Sequence, residues 1–368
     1  MKYLITGLGS IGRRHLRNLL MLGERDILFY RTHHSTLPED ELLGFPVETD
    51  LQTALAHKPD AVIVSNPTAL HLDVAIPAAE AGCHLFLEKP VSHNLDRIDQ
   101  LKQAVHLNNL RVFVGFQFRF HLGLRQIAQL LSEKVVGEPV SVRAHWGEYL
   151  PGWHPWEDYR QGYSARPDLG GGVVLTLCHP FDYLRWLFGE VDALWALTGN
   201  QGGLGLKVED TAEIGLRFAS GVLGSVHLNF IQRPPAHWLE IIGTDGTMRW
   251  DYYRNTVEIL AESTQETASQ SAVSTQLSAI ALSEIRNQMF VAEMRHFLDI
   301  LQGNKQPVCT LDDGIRALEL ALAVHESTQK KKLTGGYSSS GLGLGVIPSG
   351  SFNSATLSHK TSGEPLRR

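Results

Sequence analysis

Six residues near the N-terminus, Gly7-Leu8-Gly9-Ser10-Ile11-Gly12, constrain this chain more than any other stretch because of what flanks them. Lys2 to Thr6 is a short apolar run, and Arg13 to Leu22 is a helical pattern closed by Gly23, so the order is strand, glycine turn, helix. Gly7 permits the tight turn, Gly9 leaves room for a pyrophosphate against the backbone, and Gly12 lets helix and strand pack closely. The helix start at Ser10 and Ile11 then turns free N–H groups towards the phosphates. The glycine pattern is weak alone; its strand and helix context makes a dinucleotide-binding unit the expected reading.

Strand and helix patterns alternate from there to about residue 120. Ile27 to Tyr30 reads as the second strand, and its tip carries no acid to hold a ribose 2′-hydroxyl. It carries Arg31-Thr32-His33-His34-Ser35 instead, which suits a 2′-phosphate through charge-assisted hydrogen bonds, so NADP is favoured over NAD. Asp60 to Ser65 is the next strand, followed by the loop residues Asn66, Pro67 and Thr68, then His71 and a helix from Leu72 to Ala81, with Asn66, Pro67 and His71, like Glu88 and Lys89 further on, expected to contact the cofactor. Leu85 to Val91, reading LFLEKPV, is a buried strand that opens on Glu88, Lys89 and Pro90 at its C-terminal end, where ligands sit in open α/β sheets. Ile98 to His106 and Val112 to Gly115 complete a mostly parallel sheet.

Beyond residue 121 the texture changes. A helix at Leu124 to Leu131 is followed by strand patterns at Val140–Tyr149, Leu194–Gly199, Asp210–Ala219, Val222–Gln232, Trp238–Gly243, Thr247–Asp251 and Val257–Leu260. A helix from Val173 to Leu187 interrupts them. Alternation such as Ser225-Val226-His227-Leu228-Asn229-Phe230 marks an antiparallel sheet with two different faces. Helices of the same domain can cover one face and a second subunit the other, so a homo-oligomer, dimer or tetramer, is expected. Ala261 to Ser278 reads as a mobile loop, and Glu284–Gln302 and Leu311–Lys332 as helices, the latter with Asp312 and Asp313 in its first turn. The tail after Leu333 is Gly- and Ser-rich and reads as disordered. Expected domains are 1–120, 121–332 and the tail 333–368.

Composition excludes several classes. A chain of 368 residues exceeds one core, and 33 Lys plus Arg against 39 Asp plus Glu, a net charge of -6, argues against broad nucleic-acid or membrane-surface binding. The three cysteines, Cys83, Cys178 and Cys309, suggest neither a disulfide framework nor a metal site. With the first strand starting at Lys2 and no apolar run long enough to span a bilayer, a soluble cytoplasmic protein is expected.

Taken together, GLGSIG, the Asn66-Pro67-Thr68…His71 pattern, Glu88-Lys89-Pro90, and Leu169-Gly170-Gly171-Gly172 followed by His179 and Asp182 carry a resemblance. Val208-Glu209-Asp210-Thr211 and the helix at Asp313 to Ser327 extend it, over about residues 1 to 332. The chain resembles the Gfo/Idh/MocA family of NAD(P)-dependent oxidoreductases. That resemblance implies an α/β fold: an N-terminal Rossmann domain plus a C-terminal α/β domain with a large, open, mostly antiparallel sheet. It further implies hydride transfer at a hydroxyl or carbonyl carbon of a sugar, polyol or derivative, with Lys89 beside the nicotinamide and the reacting oxygen, His179 as acid/base, and a cis peptide before Pro90.

The chemistry asks for these residue types in its own right. Hydride delivered to a carbonyl leaves an alkoxide that needs a proton donor within hydrogen-bond reach. Histidine serves near neutral pH, so His179 is assigned the proton and Lys89 the polarising and orienting of the oxygen. One departure stands out: the family's Asp one helical turn before the motif His is replaced by Thr176, and Asp182, at i+3 from His179, is the carboxylate within helical reach. The region Trp146 to Arg166, with Trp153, Trp156, Tyr159 and Tyr163, suits a sugar's apolar face and polar rim. Arg119, Arg160 and Arg166 would favour an anionic sugar if they point inward, and Thr176 and His179 complete the expected substrate contacts. The competing readings are redox-neutral, NAD-assisted glycosidase-like chemistry and a non-catalytic NAD(P)-sensing protein.

Overall fold

Two sheets organise the computed structural model, which describes residues 1–32, 42, 44–261, 271–276 and 282–330. The first holds six parallel strands: β1 (Tyr3–Thr6), β2 (Ile27–Tyr30), β3 (Val47–Glu48), β4 (Ala61–Val64), β5 (His84–Leu87) and β6 (Val112–Val114). Their spatial order is β3-β2-β1-β4-β5-β6, the doubly wound arrangement that reverses direction between β1 and β4. Helices α1 (Ser10–Met21), α2 (Leu51–Ala56), α3 (His71–Glu80) and α4 (Ile98–Leu107) connect them. β1 and β4 are buried at every residue because helices cover both faces, which is why they read as unbroken apolar runs rather than alternating ones. The short pair β3 and α2 has too little periodicity to register in the sequence, although Asp50 caps α2 by accepting from the Thr53 N–H at 2.8 Å.

After α5 (Leu122–Ser132) the chain lays down β7 (Pro139–Tyr149), then α6 (Val173–Thr176) and α7 (His179–Phe188). β8 (Val191–Gly199), β9 (Thr211–Phe218), β10 (Leu223–Asn229), β11 (Ile231–Gly243), β12 (Gly246–Asp251), β13 (Thr256–Ala261) and β14 (Ser271–Gln276) follow, before α8 (Leu282–Leu301) and α9 (Leu311–Gln329). The eight strands order as β14-β13-β12-β11-β7-β10-β9-β8, antiparallel except where β10 runs parallel to β7. Period-two alternation gives each strand one row towards the core: Ala196, Ile214, Val226, Ala144, Leu239, Trp250 and Val257 sit side by side across the sheet, all buried. Each large apolar side chain buried this way contributes on the order of 1.5–3 kcal/mol relative to exposure. The opposite row carries Leu197, Glu213, His227, His145 and Trp238, the last three with stacked rings.

Three expectations need correction. Val173 to Leu187 is not one helix: it breaks at Leu177 and Cys178, so α6 and α7 are separate and Thr176 does not stand one continuous turn before His179. Residues 271–276, expected within a loop, pair as β14 against β13, while 262–270 and 277–281 lie outside the described residues. Ile231 and Gln232 belong to β11 rather than to the preceding strand. The tail after Lys330 also lies outside the described residues.

Candidate active site

The glycines at the N-terminus of α1 leave a cradle that a dinucleotide fits. Gly7 adopts φ +78°, and a Cβ there would meet the Asn66 backbone at 2.4 Å; a Cβ on Gly12 would meet the Gly7 carbonyl oxygen at 1.9 Å. Gly9 has nothing within 4 Å of that position, so the space above it is open. α1 begins at Ser10 without a side-chain cap, leaving the N–H groups of its first turn, Ile11 included, for an incoming anion. At the tip of β2, Arg31 is buried and its N–H donates to the Glu48 carbonyl at 3.1 Å. His33, His34 and Ser35, the rest of the cationic turn, lie outside the described residues.

The loops after β4 and β5 are braced together by His71, whose ring nitrogens lie 2.9 Å from the carbonyl oxygens of Pro90 and Asn66. Burial lowers its pKa against the opposing pull of Glu88 and those carbonyls. His71, expected to contact cofactor, is thus occupied in fixing the loop that carries Asn66 and Pro67 against the one that carries Lys89. Asn66 spends its amide on the Leu70 carbonyl at 2.8 Å. The Lys89–Pro90 peptide is cis.

Lys89 is held from the other sheet's side. Its Nζ donates to the backbone carbonyl of Thr176 at 3.1 Å, so Thr176 contributes main chain where a carboxylate was missing, and its own hydroxyl is buried without a hydrogen-bond partner among the described residues. Burial opposes the charge on Lys89, but Tyr163, Cys178, Glu88 and Glu293 outweigh it, and its pKa is raised. Cys178 is itself pushed up to about 12 and carries no charge near neutrality, which leaves Glu88 as the working counter-ion.

His179 opens α7, fully buried between the rings of Phe116, Phe118 and Trp146. Its Nε2 lies 3.2 Å from Nε2 of Gln117, which donates to it, while Nδ1 has no partner among the described residues. Burial, then the charge of Lys89, then His237 and Arg286, hold its pKa well below the usual 6.5, so the ring is neutral. Gln117 was not singled out in the sequence, although its place just past the C-terminal end of β6 was the available signal.

Two assignments move. Asp182 does not support His179: its carboxylate accepts from Arg119 Nε at 3.1 and 3.0 Å and from Nη2 at 2.7 Å, with Cys309 Sγ 3.8 Å away. Arg119 correspondingly does not point at substrate, since its third nitrogen donates to the Val308 carbonyl and its side chain is 8 % exposed. The pair is a buried clamp between η-turn 117–120, α7 and α9. Removing one partner would leave the other charge buried and alone.

Behind Lys89 lies a second buried cluster that the sequence did not announce. His15 on α1 meets Glu88 at 2.7 Å, and Glu293 on α8 is 0 % exposed with neither carboxylate oxygen hydrogen-bonded among the described residues. Burial, then Glu88, push the Glu293 pKa well above its ordinary value, with Lys89 opposing, which favours its protonated form. A folded chain that keeps a proton the unfolded chain releases is fully stable below the ordinary carboxylate range and loses stability as pH rises towards the folded value. Glu293→Gln is therefore expected to be more stable than the native protein at pH 8 and not at pH 4, by about 1.4 kcal/mol per unit of pKa shift removed. Urea unfolding at both pH values checks this; parallel pH dependence in the two proteins would rule it out.

In the aromatic segment, Trp153 packs its edge on Phe230 at 5.6 Å with its indole N–H buried and unpartnered among the described residues, and Tyr163 is 38 % exposed. Trp146 belongs to the core, stacked on His237 at 4.3 Å. Arg160 and Arg166 are exposed and paired locally with Asp158 and Asp168, so they do not converge on the cleft. Gly172 is required by crowding, since a Cβ would fall 2.4 Å from Glu209 Oε1, which caps α6 by accepting from Val174 N–H at 3.1 Å. Among the described residues no group of His, Cys, Asp and Glu is arranged to hold a metal, and no helix is long and apolar enough to cross a membrane.

Known proteins share this construction. The chain is 27% identical over 352 residues to the myo-inositol 2-dehydrogenase of Thermotoga maritima, covering 90% of this chain and 97% of that one. It is 27% identical to the 1,5-anhydro-D-fructose reductase of Ensifer adhaerens over 72% of this chain and 76% of the relative. Among solved structures, a levoglucosan dehydrogenase in complex with NADH and levoglucosan superposes with a TM-score of 0.74 at 20% identity, covering 90% and 97% of the two chains. The oxidoreductase model for an NAD-binding Rossmann fold matches residues 1–116 and its C-terminal alpha/beta partner matches 128–334, so the chain with these two sheets belongs to the Gfo/Idh/MocA oxidoreductase family.

Proposed function

We propose that this protein is an NADP-preferring dehydrogenase or reductase acting at a CH–OH or carbonyl carbon of a sugar, polyol or sugar derivative. The observation that carries it is the convergence of a charged Lys89 and a neutral His179, joined through the Thr176 carbonyl that anchors Lys89 three residues before His179. When bound, the nicotinamide accepts or supplies the hydride. Lys89 Nζ holds the reacting oxygen and favours its anionic form. His179, already neutral, takes the hydroxyl proton at Nε2 on oxidation and returns it on reduction, the substrate hydroxyl replacing the Gln117 N–H that donates to this nitrogen. Trp153 and Tyr163 border the substrate, the apolar faces of a sugar matching their rings. The sugar class is supported by what the relatives are named for.

The NADP preference rests on Arg31 standing where an acid would select NAD. The outer row of the large sheet, where Trp195 is 55% and Leu197 43% exposed, supports a homo-oligomer formed through that face, which a monomeric mass by light scattering would refute. A cytoplasmic location accords with three free, buried cysteines.

The test is turnover of a panel of sugars and polyols with NAD(H) and NADP(H), following nicotinamide absorbance and product together, in native protein and Arg31→Asp. Net hydride transfer, with the NADP preference reduced about tenfold or more in the variant, is expected. Product formed without net change in the coenzyme would establish the redox-neutral reading, and binding without turnover the sensing one. Equal coenzyme preference in both proteins would overturn the assignment of Arg31.

A further inference from the structure

Two buried acids stand behind Lys89, and hydrogen bonding treats them unequally. Glu88, just past β5, has two donors: Nε2 of His15 lies 2.7 Å from its Oε1, and the Lys89 backbone N–H donates to its Oε2 at 3.2 Å. Glu293 on α8 has none among the described residues, although it is 0 % exposed.

Ring contacts put both acids in one interface. Phe290, three residues before Glu293, carries the Arg14 guanidinium of α1 at 4.5 Å, and Phe297, four residues after it, packs 5.4 Å from Phe86 of β5. Residues three and four apart share a helix face, so Glu293 lies on the stripe of α8 that covers α1 and β5. Phe86 in turn meets the His15 ring at 4.7 Å. His15 is fully buried and its Nδ1 has no partner among the described residues, so its hydrogen bonding goes to Glu88.

Two carboxyl groups in one buried interface resist ionising together, and the one with hydrogen-bond donors keeps the charge. Against burial, the His15 hydrogen bond leads the effects that hold Glu88 below the ordinary carboxylate range, whereas Glu293 is pushed well above it. Where that charge sits matters to Lys89, the next residue after Glu88. The other groups that act on or feel its ammonium are Tyr163, Cys178, His179 and Glu293, and of these only Glu293 is a carboxyl.

We propose that His15 is a positioning residue of the reaction centre, in the reading of Lys89 as the group that holds the reacting oxygen: by hydrogen-bonding Glu88 it decides which of the two buried acids bears the negative charge. The counter-ion then stays beside Lys89, whose side chain reaches across to the Thr176 carbonyl. Without His15 the proton on Glu293 can pass to Glu88, the anion moves to α8, and burial of the ammonium is opposed less well.

The test reads the charge of Lys89 by ¹³C NMR of the full chain with lysine labelled at Cε, the Lys89 signal being the one lost in Lys89→Met. Native Lys89 should stay charged up to and beyond its ordinary 10.5. In His15→Leu and in Glu88→Gln it should neutralise at a midpoint lower by about one pH unit or more, because burial favours the neutral amine. His15→Gln, which keeps an N–H for Glu88, should stay close to native. His15→Leu combined with Glu293→Gln leaves Glu88 as the one carboxylate of the pair and should recover most of the shift. A midpoint unmoved by either His15→Leu or Glu88→Gln overturns the proposal. So does a shift in His15→Leu that the added Glu293→Gln leaves intact, the result expected of a packing role. His15→Phe, which keeps a ring against Phe86 and lacks the donor, takes the place of His15→Leu if that variant does not fold. Because charge is read without turnover, absence of dehydrogenase activity counts against the oxidoreductase reading and not against this placement of charge.

Discussion

Replacing Lys89 with methionine is expected to lower kcat/KM by about 10²–10⁴-fold while coenzyme affinity changes by less than about threefold. Methionine keeps most of the stem's volume and removes the ammonium that reaches the Thr176 carbonyl. The loss should fall mainly on kcat, because a charge aimed at the developing alkoxide acts more strongly in the transition state than in the ground state. Coenzyme binding should survive, since the glycine cradle at Gly7, Gly9 and Gly12 is built by backbone and sterics at the end of β1, with β4 between it and β5. Activity within tenfold of native, in a variant with a native circular dichroism spectrum, would remove Lys89 from the chemistry.

His179→Gln is the second large effect, also about 10²–10⁴-fold in kcat/KM, and it carries a diagnostic pH dependence. With the imidazole held neutral well below 6.5, native kcat/KM should stay level as pH falls from 8 through 6.5 and decline only below that. The sign follows from the depressed value: the folded protein does not bind the proton until pH is low, so the base form persists across the neutral range. The same depression means that the stability contributed by this site is present above 6.5 and lost as pH falls towards the folded value. The glutamine variant should lose activity at every pH and show no acid limb from this residue. An acid limb in the native enzyme centred at or above 6.5 would contradict the neutral, buried imidazole.

Much of the fold was legible because the rules that produce it are local. The spacing of Gly7, Gly9 and Gly12 between a strand and a helix, the unbroken apolar runs of β1 and β4, and the alternation of β10 each follow from backbone geometry and from which face is covered. Lys89 and His179 were legible as residues at a strand end and after a glycine-rich turn. Their partners were not. Glu293 had a faint signal, an acid set within the apolar stripe of Phe290, Met294 and Phe297, and such a position is buried only if another element lies over it.

The sequence by itself determined a doubly wound nucleotide-binding sheet, a second sheet with one apolar face, and the residue types for moving a proton and holding an oxygen. Tertiary structure alone decided who pairs with whom: Asp182 with Arg119 instead of His179, Gln117 with His179, Glu88 with His15, and Lys89 with a Thr176 carbonyl. The reason is physical. Backbone conformation answers to neighbours a few residues away, whereas a buried side chain's charge and partner depend on which distant segments exclude water around it, here α1, β5 and an α8 that arrives some two hundred residues later. Lys89 stands where the sequence put it, at the end of β5, and docking of α6 gives its ammonium the Thr176 carbonyl as partner there.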